Sequence, residues 1–160
     1  ERNAYIKASR QRRGQDDDYS IQETLSDSFT LTPERYQDLE AQEQFIITIT
    51  DKGYGKRTSA YEYRVIGRGG QGIANMELTP KNGQIVGTFV VNADDQLIMV
   101  TNGGQMIRCP IHDIRIAGRK TQGVTLFKVP LSEKVVSVAL IPSSSFTDND
   151  DDPLNEDILP

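Results

Sequence analysis

The residues Ile66-Gly67-Arg68-Gly69-Gly70-Gln71-Gly72-Ile73 return 51 positions later as Ala117-Gly118-Arg119-Lys120-Thr121-Gln122-Gly123-Val124. The flanks repeat with them. Thr50-Asp51-Lys52-Gly53 matches Thr101-Asn102-Gly103-Gly104, Arg57 matches Arg108, and Arg64-Val65 matches Arg115-Ile116. Gln84-Ile85-Val86 matches Lys134-Val135-Val136 after a one-residue deletion. A period near 50 with Gly-rich punctuation is the signature of a propeller or another repeat array. A single such unit cannot bury its apolar face alone and must pack on its neighbour.

Within each repeat the local grammar is that of strands. Phe45–Thr50 is β-branched and aromatic, and Asp51-Lys52-Gly53 supplies a turn into Tyr54–Thr58. Glu62–Ile66 reads as extended, Ile73–Leu78 as a strand, Lys81-Asn82-Gly83 as a hairpin turn, and Gln84–Val91 as a nearly continuous apolar strand. The second repeat copies the order. It runs Gln96–Thr101, a turn at Asn102-Gly103-Gly104, Gln105–Cys109, Arg115–Ile116, the Gly118–Gly123 loop, Val124–Val129 and Val135–Ile141. Four short strands per repeat describe a propeller-type blade, so the expected fold is all-β, with blades over 44–94 and 95–142.

Residues 1–43 match nothing in the repeats. Residues 1–13 hold no Gly or Pro and predict a helix. Thr32-Pro33-Glu34 predicts a second start, with Thr32 as the cap, Pro33 in the first turn and Glu34 against the helix dipole. Between them residues 14–31 read as an acidic linker. The whole of 1–43 is expected to be a helical insertion or connector, and 143–160 a disordered acidic tail. Residue 1 is Glu rather than Met, which points to a piece of a longer chain.

The net charge of −5 conceals regional sorting. Residues 1–43 carry a net of −4, residues 44–129 a net of +5, and residues 130–160 a net of −6. A basic repeat region between acidic flanks points to a polyanion partner for the middle. The single cysteine allows no disulfide within the chain, and no apolar run reaches the length of a membrane span.

Enzymatic signals are weak. Cys109 and His112 are the only residues of their types, so no metal set can form around them, and Cys109 falls in an apolar strand pattern. Their expected role is structural rather than catalytic. Gly67-Arg68-Gly69-Gly70-Gln71-Gly72 has the spacing of a dinucleotide loop, yet no helix is predicted after it. Asp94-Asp95 sits at a turn between repeats. The repeated cations carry more. Arg57/Arg108, Arg64/Arg115 and Arg68/Arg119 recur at matched positions, with Lys56 and Lys120 beside them. Matched positions on successive blades predict an ordered basic track. Arginine grips phosphate oxygens with a planar fork, and the loop glycines let backbone N–H groups approach an anion. The competing assignment is that these arginines brace turns through backbone carbonyls or through Glu62 and Asp113.

Gly53-Tyr54-Gly55-Lys56-Arg57-Thr58 with Tyr63-Arg64-Val65-Ile66-Gly67-Arg68-Gly69-Gly70-Gln71-Gly72 closely resembles the C-terminal domain of the DNA gyrase A protein. Ile107-Arg108-Cys109-Pro110 and Ile116–Val124 resemble the next blade of that domain. The resemblance covers about 44–142. It implies a β-pinwheel that wraps double-stranded DNA on a basic perimeter, with these as its last two blades. The implied DNA-binding residues are Lys56, Arg57, Arg64, Arg68, Arg108, Arg115, Arg119 and Lys120. By the same resemblance the parent is an ATP-dependent type II topoisomerase that supercoils DNA negatively, in the cytoplasm at the nucleoid. Its partners are the gyrase B protein and a second copy of the gyrase A protein, and it uses ATP and Mg2+. This stretch itself is expected to be non-catalytic and to hold no cofactor, metal or membrane contact. The family's Gln-Arg-Arg-Gly-Gly-Lys/Arg-Gly box resembles Gln11-Arg12-Arg13-Gly14 in its first half only. The run continues as Gln15-Asp16-Asp17-Asp18 after a helix, so it is not read as the box. Two alternatives stay open: the matching domain of topoisomerase IV, acting in decatenation, and a propeller-type protein-interaction module.

Overall fold

The computed structural model describes residues 1–14 and 31–146. Most of the acidic linker and of the acidic tail lies outside the described residues. Helix α1 (Arg2–Arg12) and helix α2 (Pro33–Ala41) form the N-terminal part. The α2 start is built as its sequence suggests: the Arg35 N–H donates to Thr32 Oγ1 at 3.3 Å, and Pro33 occupies the first turn. The two helices bury Tyr5, Tyr36 and Leu39 together, with Ala8, Leu31 and Tyr61 against them. The Tyr5 ring lies 5.0 Å from Tyr36 and 5.1 Å, edge-on, from Tyr61. Tyr61 belongs to the repeat region, so this small aromatic core ties the helices to the first repeat.

The repeats form two antiparallel sheets. Strands β1 (Phe45–Thr50), β2 (Tyr54–Ser59), β3 (Ile85–Val91), β4 (Gln96–Thr101), β5 (Met106–Pro110), β6 (Val124–Thr125) and β7 (Val135–Ile141) follow in chain order. One sheet has the order β3-β1-β2-β6 and the other β5-β4-β7. Ile47, Ile49 and Val91 of the first sheet meet Leu97, Met99 and Val135 of the second, with Ile111 and Ile114 closing the same core. The β4 burial alternates residue by residue, as expected of a strand with one face inward.

The first sheet borrows its fourth strand. β6 belongs to the second repeat, yet it pairs with β2 of the first, Tyr54 opposite Thr125 and Gly55 opposite Val124. A parallel bridge joins Arg57 to Ile116 just before it. The sequence reading of Ile73–Leu78 as a strand is thereby corrected. That segment is irregular, and Lys81-Asn82-Gly83 is a turn without a hairpin, because β3 pairs with β1 instead. Side chains take the place of a ladder there. Asn82 accepts the Thr79 N–H at 2.7 Å and donates to the carbonyls of Glu77 at 2.8 Å and Gln122 at 3.1 Å. Likewise the strand expected over Val124–Val129 is confined to Val124–Thr125.

The crossing changes what β2 can bury. The β1–β2 register sets Thr48 opposite Lys56 and Ile47 opposite Arg57, so the two basic residues point to opposite faces. The Ile47 face meets the second sheet. The Thr48 face, with Lys56 and Thr58 fully buried, lies under the second Gly-rich loop. The matching segment of the first repeat is not docked in this way. Val65 is fully exposed, whereas Ile116, its counterpart, is half-buried in the bridge to Arg57.

Candidate nucleic-acid interface

Lys56 departs from the expected track most clearly. It is 0% exposed, and its Nζ donates at 2.6 Å to the carbonyls of both Gly118 and Arg119. It therefore holds the second Gly-rich loop on β2 and presents no charge outward. Thr58 Oγ1 adds a bond to the Ala117 carbonyl at 3.0 Å. Arg57, on the opposite face, also spends its fork on the backbone. Its Nε donates to the Ile114 carbonyl at 2.7 Å and its Nη2 to the His112 carbonyl at 3.0 Å. Its N–H and C=O pair with Arg115 O at 2.9 Å and Ala117 N–H at 2.8 Å. The bracing assignment thus describes Lys56 and Arg57, with carbonyls as the partners.

Arg119 is divided. Its guanidinium reaches the Ala74 carbonyl at 2.6 Å and lies 5.8 Å from the Tyr63 ring centre, while its backbone N–H donates to Glu62 Oε2 at 2.9 Å. Ala74 and Tyr63 mark the two feet of the first Gly-rich loop. Tyr63 donates its hydroxyl to Asn75 Oδ1, and Asn75 Nδ2 donates to Thr48 Oγ1 at 2.8 Å. Burial pushes the Tyr63 hydroxyl pKa up, so it stays a neutral donor. The loop closed by these feet carries Arg64 and Arg68, both exposed. Gly67, Gly69 and Gly72 have open space around them, and Gly69 and Gly72 hold positive φ. Arg115 and Lys120 are exposed on the second loop segment.

Seven of the eight expected cations therefore gather along one seam, where β2 and both Gly-rich loops meet. Three of them, Lys56, Arg57 and Arg119, build it. Four, Arg64, Arg68, Arg115 and Lys120, face solvent from it. Arg108 stands on β5 of the other sheet, exposed, and donates to Gln96 Oε1. The Asp113 carboxylate lies 3.3 Å from His112 rather than on a seam arginine.

Sequence reasoning missed the acids and arginines that fasten the helices here. Arg10 pairs with Glu62 at 2.9 Å and Arg13 with Glu43 at 2.5 Å, and both carboxylates are largely buried. Tyr5 donates its hydroxyl to the same Glu43 at 2.9 Å. Burial opposes the Arg13 charge, but the bond to Glu43 and the negative charge beside it together outweigh burial and raise the guanidinium pKa. These partners lie 30 to 52 positions apart, and nothing in their local sequence pairs them. Gln11-Arg12-Arg13-Gly14 is the end of α1, with Gly14 at φ +64°.

Burial, then Asp113, push the Cys109 thiol up, opposite to what an activated nucleophile needs. His112 is exposed. Among the described residues no group of three or more His, Cys, Asp or Glu side chains could hold a metal ion. No helix among them is long and apolar enough to cross a membrane.

The fold has known counterparts. It is similar to a solved DNA gyrase A C-terminal domain, with a TM-score of 0.58 at 21% identity over 62% of this chain and 34% of that one. It is equally similar to the C-terminal domain of DNA topoisomerase IV, with a TM-score of 0.58 at 22% identity over 63% of this chain and 32% of that one. At these identities the likeness shows the pinwheel fold and does not separate the two. Sequence does. The DNA gyrase A protein of Rickettsia bellii is 42% identical over 99% of this chain, and that of Granulibacter bethesdensis is 46% identical over 95%. The chain spans 18% of the length of each of these relatives. The family model described as the DNA gyrase C-terminal domain, a β-propeller, matches residues 44–92 and again 95–142. With the family model matched twice in succession and gyrase A relatives along nearly its whole length, this chain belongs to the DNA gyrase A C-terminal domain family.

Proposed function

We propose that this chain binds and wraps double-stranded DNA as the last two blades of a gyrase A protein, within an ATP-dependent type II topoisomerase that supercoils DNA negatively. The observation that supports it is the seam: buried Lys56 and braced Arg57 fix the second Gly-rich loop, Arg119 holds a foot of the first, and the two loop segments carry Arg64, Arg68, Arg115 and Lys120 out to solvent. A docked segment loses less freedom on meeting phosphate than a free one, so more of the attraction of Arg115 and Lys120 reaches the binding energy. Bending a short duplex costs on the order of 1–6 kcal/mol, which only several such contacts can offset. Contacts of this kind position the backbone without reading bases, so binding is largely independent of sequence.

The gyrase B protein, a second copy of the gyrase A protein, ATP and Mg2+ belong to the holoenzyme in this reading. The steps that use them fall to the rest of the assembly, and this stretch supplies the wrapping surface. It acts where the holoenzyme acts, in the cytoplasm at the nucleoid.

The test is duplex affinity across a salt series for this chain and for Arg64→Gln/Arg68→Gln/Arg115→Gln/Lys120→Gln. The expected log–log slope is negative, about 0.9 per phosphate contact, and shallower by about 3.6 in the variant. Equal slopes would remove the exposed seam cations from the interface. A folded chain with no salt-dependent affinity would return the protein-interaction module as the better reading.

A further inference from the structure

Residues 112–120, which lead into the second Gly-rich loop, are held by three side chains of the first repeat. The N-terminal helices reach two of the three. Lys56 and Arg57 take backbone carbonyls, and Glu62 takes the Arg119 N–H on Oε2 at 2.9 Å. Helix α1 meets Glu62 directly, because Arg10 Nη2 donates to Oε1 of the same carboxylate at 2.9 Å. It meets Arg57 through Phe45. Arg13, just past the helix end, lies 5.3 Å from that ring centre, and Arg57 lies 5.8 Å from it. The short turn Ala60–Glu62 is fastened from the same side. The Tyr61 ring packs on Tyr5 of α1, and its hydroxyl donates to the Leu39 carbonyl of α2 at 3.0 Å.

Both oxygens of Glu62 are therefore engaged, and its side chain is largely buried. One anchors the loop, and the other is fixed by Arg10. A carboxylate gripped by a guanidinium keeps its orientation, and a charged acceptor bonds an amide more strongly than a neutral one. Without Arg10 the carboxylate gains by turning to water, and the Arg119 N–H loses its acceptor. Asp113 holds the matching place in the second repeat, and it stands exposed beside His112. What Glu62 steadies is the segment that carries Lys120 out to solvent. The same segment carries the Arg119 guanidinium, which holds the Ala74 foot of the first loop.

We propose that helix α1 positions the second Gly-rich loop for DNA, with Arg10 as a positioning residue that acts through Glu62 on the Arg119 backbone. This rests on the DNA-wrapping reading above and gives the N-terminal helices a part in it: they touch the frame of the seam rather than the duplex.

Two measurements on this chain test it. Amide hydrogen exchange, without DNA, reads the loop itself. In Arg10→Met the Arg119 N–H should exchange about tenfold faster or more, while the core strands keep their protection. Arg10→Lys, which keeps a charged donor, should restore it. Duplex affinity across a salt series reads the consequence. Arg10→Met should weaken binding by about threefold to tenfold at every salt concentration, with the slope unchanged. The loop must then be ordered on binding, while its phosphate contacts stay the same in number. Arg35→Met, which removes the ion pair of α2 with Glu1 and leaves Glu62 alone, should alter neither readout. An Arg119 amide as slow in Arg10→Met as in the unaltered chain would overturn the proposal. So would protection lost throughout the chain, since Arg10 would then hold the fold rather than the loop. A loss of affinity that fades at high salt would also overturn it, because the bared Glu62 charge would then be repelling DNA. An unaltered slope in the seam variant above would take down the DNA-wrapping reading, whatever the Arg119 amide shows.

Discussion

Lys56 and Lys120 show how little a residue's charge says about its work. Both are legible in the sequence as cations beside the repeated arginines. Lys56 is sealed under the second loop, bonded to two carbonyls, while Lys120 stands in solvent. Lys56→Met should therefore lower stability by about 2–4 kcal/mol, because two buried carbonyls lose their donor, and shift the urea midpoint at constant m. Lys120→Gln should leave that midpoint in place and flatten the DNA salt slope by about 0.9. The opposite pattern would reverse the two assignments. A sign of the difference is present in the repeat itself. Ile107 occupies in the second repeat the place of Lys56 in the first, and a position that accepts isoleucine is an inward one. Arg57 and Arg108 keep arginine at the next position. The spacing locates these residues, but strand alternation, not spacing, decides which way each one points.

Element by element, legibility followed how local the cause was. Helix α2 is specified by its own cap and proline, and β1, β4 and β7 by their own apolar runs, so those appear where the sequence puts them. Ile73–Leu78 fails as a strand because its backbone is engaged by Asn82 and by one bond from the Glu77 N–H to Thr121 O at 3.2 Å. No window of sequence around residue 75 holds that information. The loan of β6 to the first sheet is equally non-local, and Gly123 records it. Gly123 has φ +76°, and a Cβ there would lie 2.9 Å from the Gly55 carbonyl oxygen. Gly72, its counterpart, has φ +79° and open space. Gly123→Ala should cost the left-handed strain of about 1–2 kcal/mol plus displacement of the loop from β2, whereas Gly72→Ala should cost the strain alone. Urea midpoints of the two variants give the comparison. Equal losses would mean that the second loop is no more docked than the first.

At the scale of the whole molecule, a net charge of −5 argues against affinity for DNA. Position resolves this. Charges act on a bound duplex only within about a Debye length, roughly 8 Å at physiological salt and 30 Å at 0.01 M. The seam offers cations at short range, whereas the acids of the last residues follow Phe146 in the chain and are six of its negative charges. Their influence on bound DNA should therefore depend on salt far more than the seam's does. Ending the chain after Phe146 keeps the Ser143 N–H on Asp95 at 3.0 Å and changes the net charge from −5 to +1. At low salt the shortened chain should bind duplex about threefold to tenfold more tightly, the worth of one or two exposed ion pairs. Near physiological salt the two chains should converge. A ratio that stays constant across the salt series would mean that the tail acts by a fixed contact instead, and that its acids compete for one site on the blades rather than through the field they share.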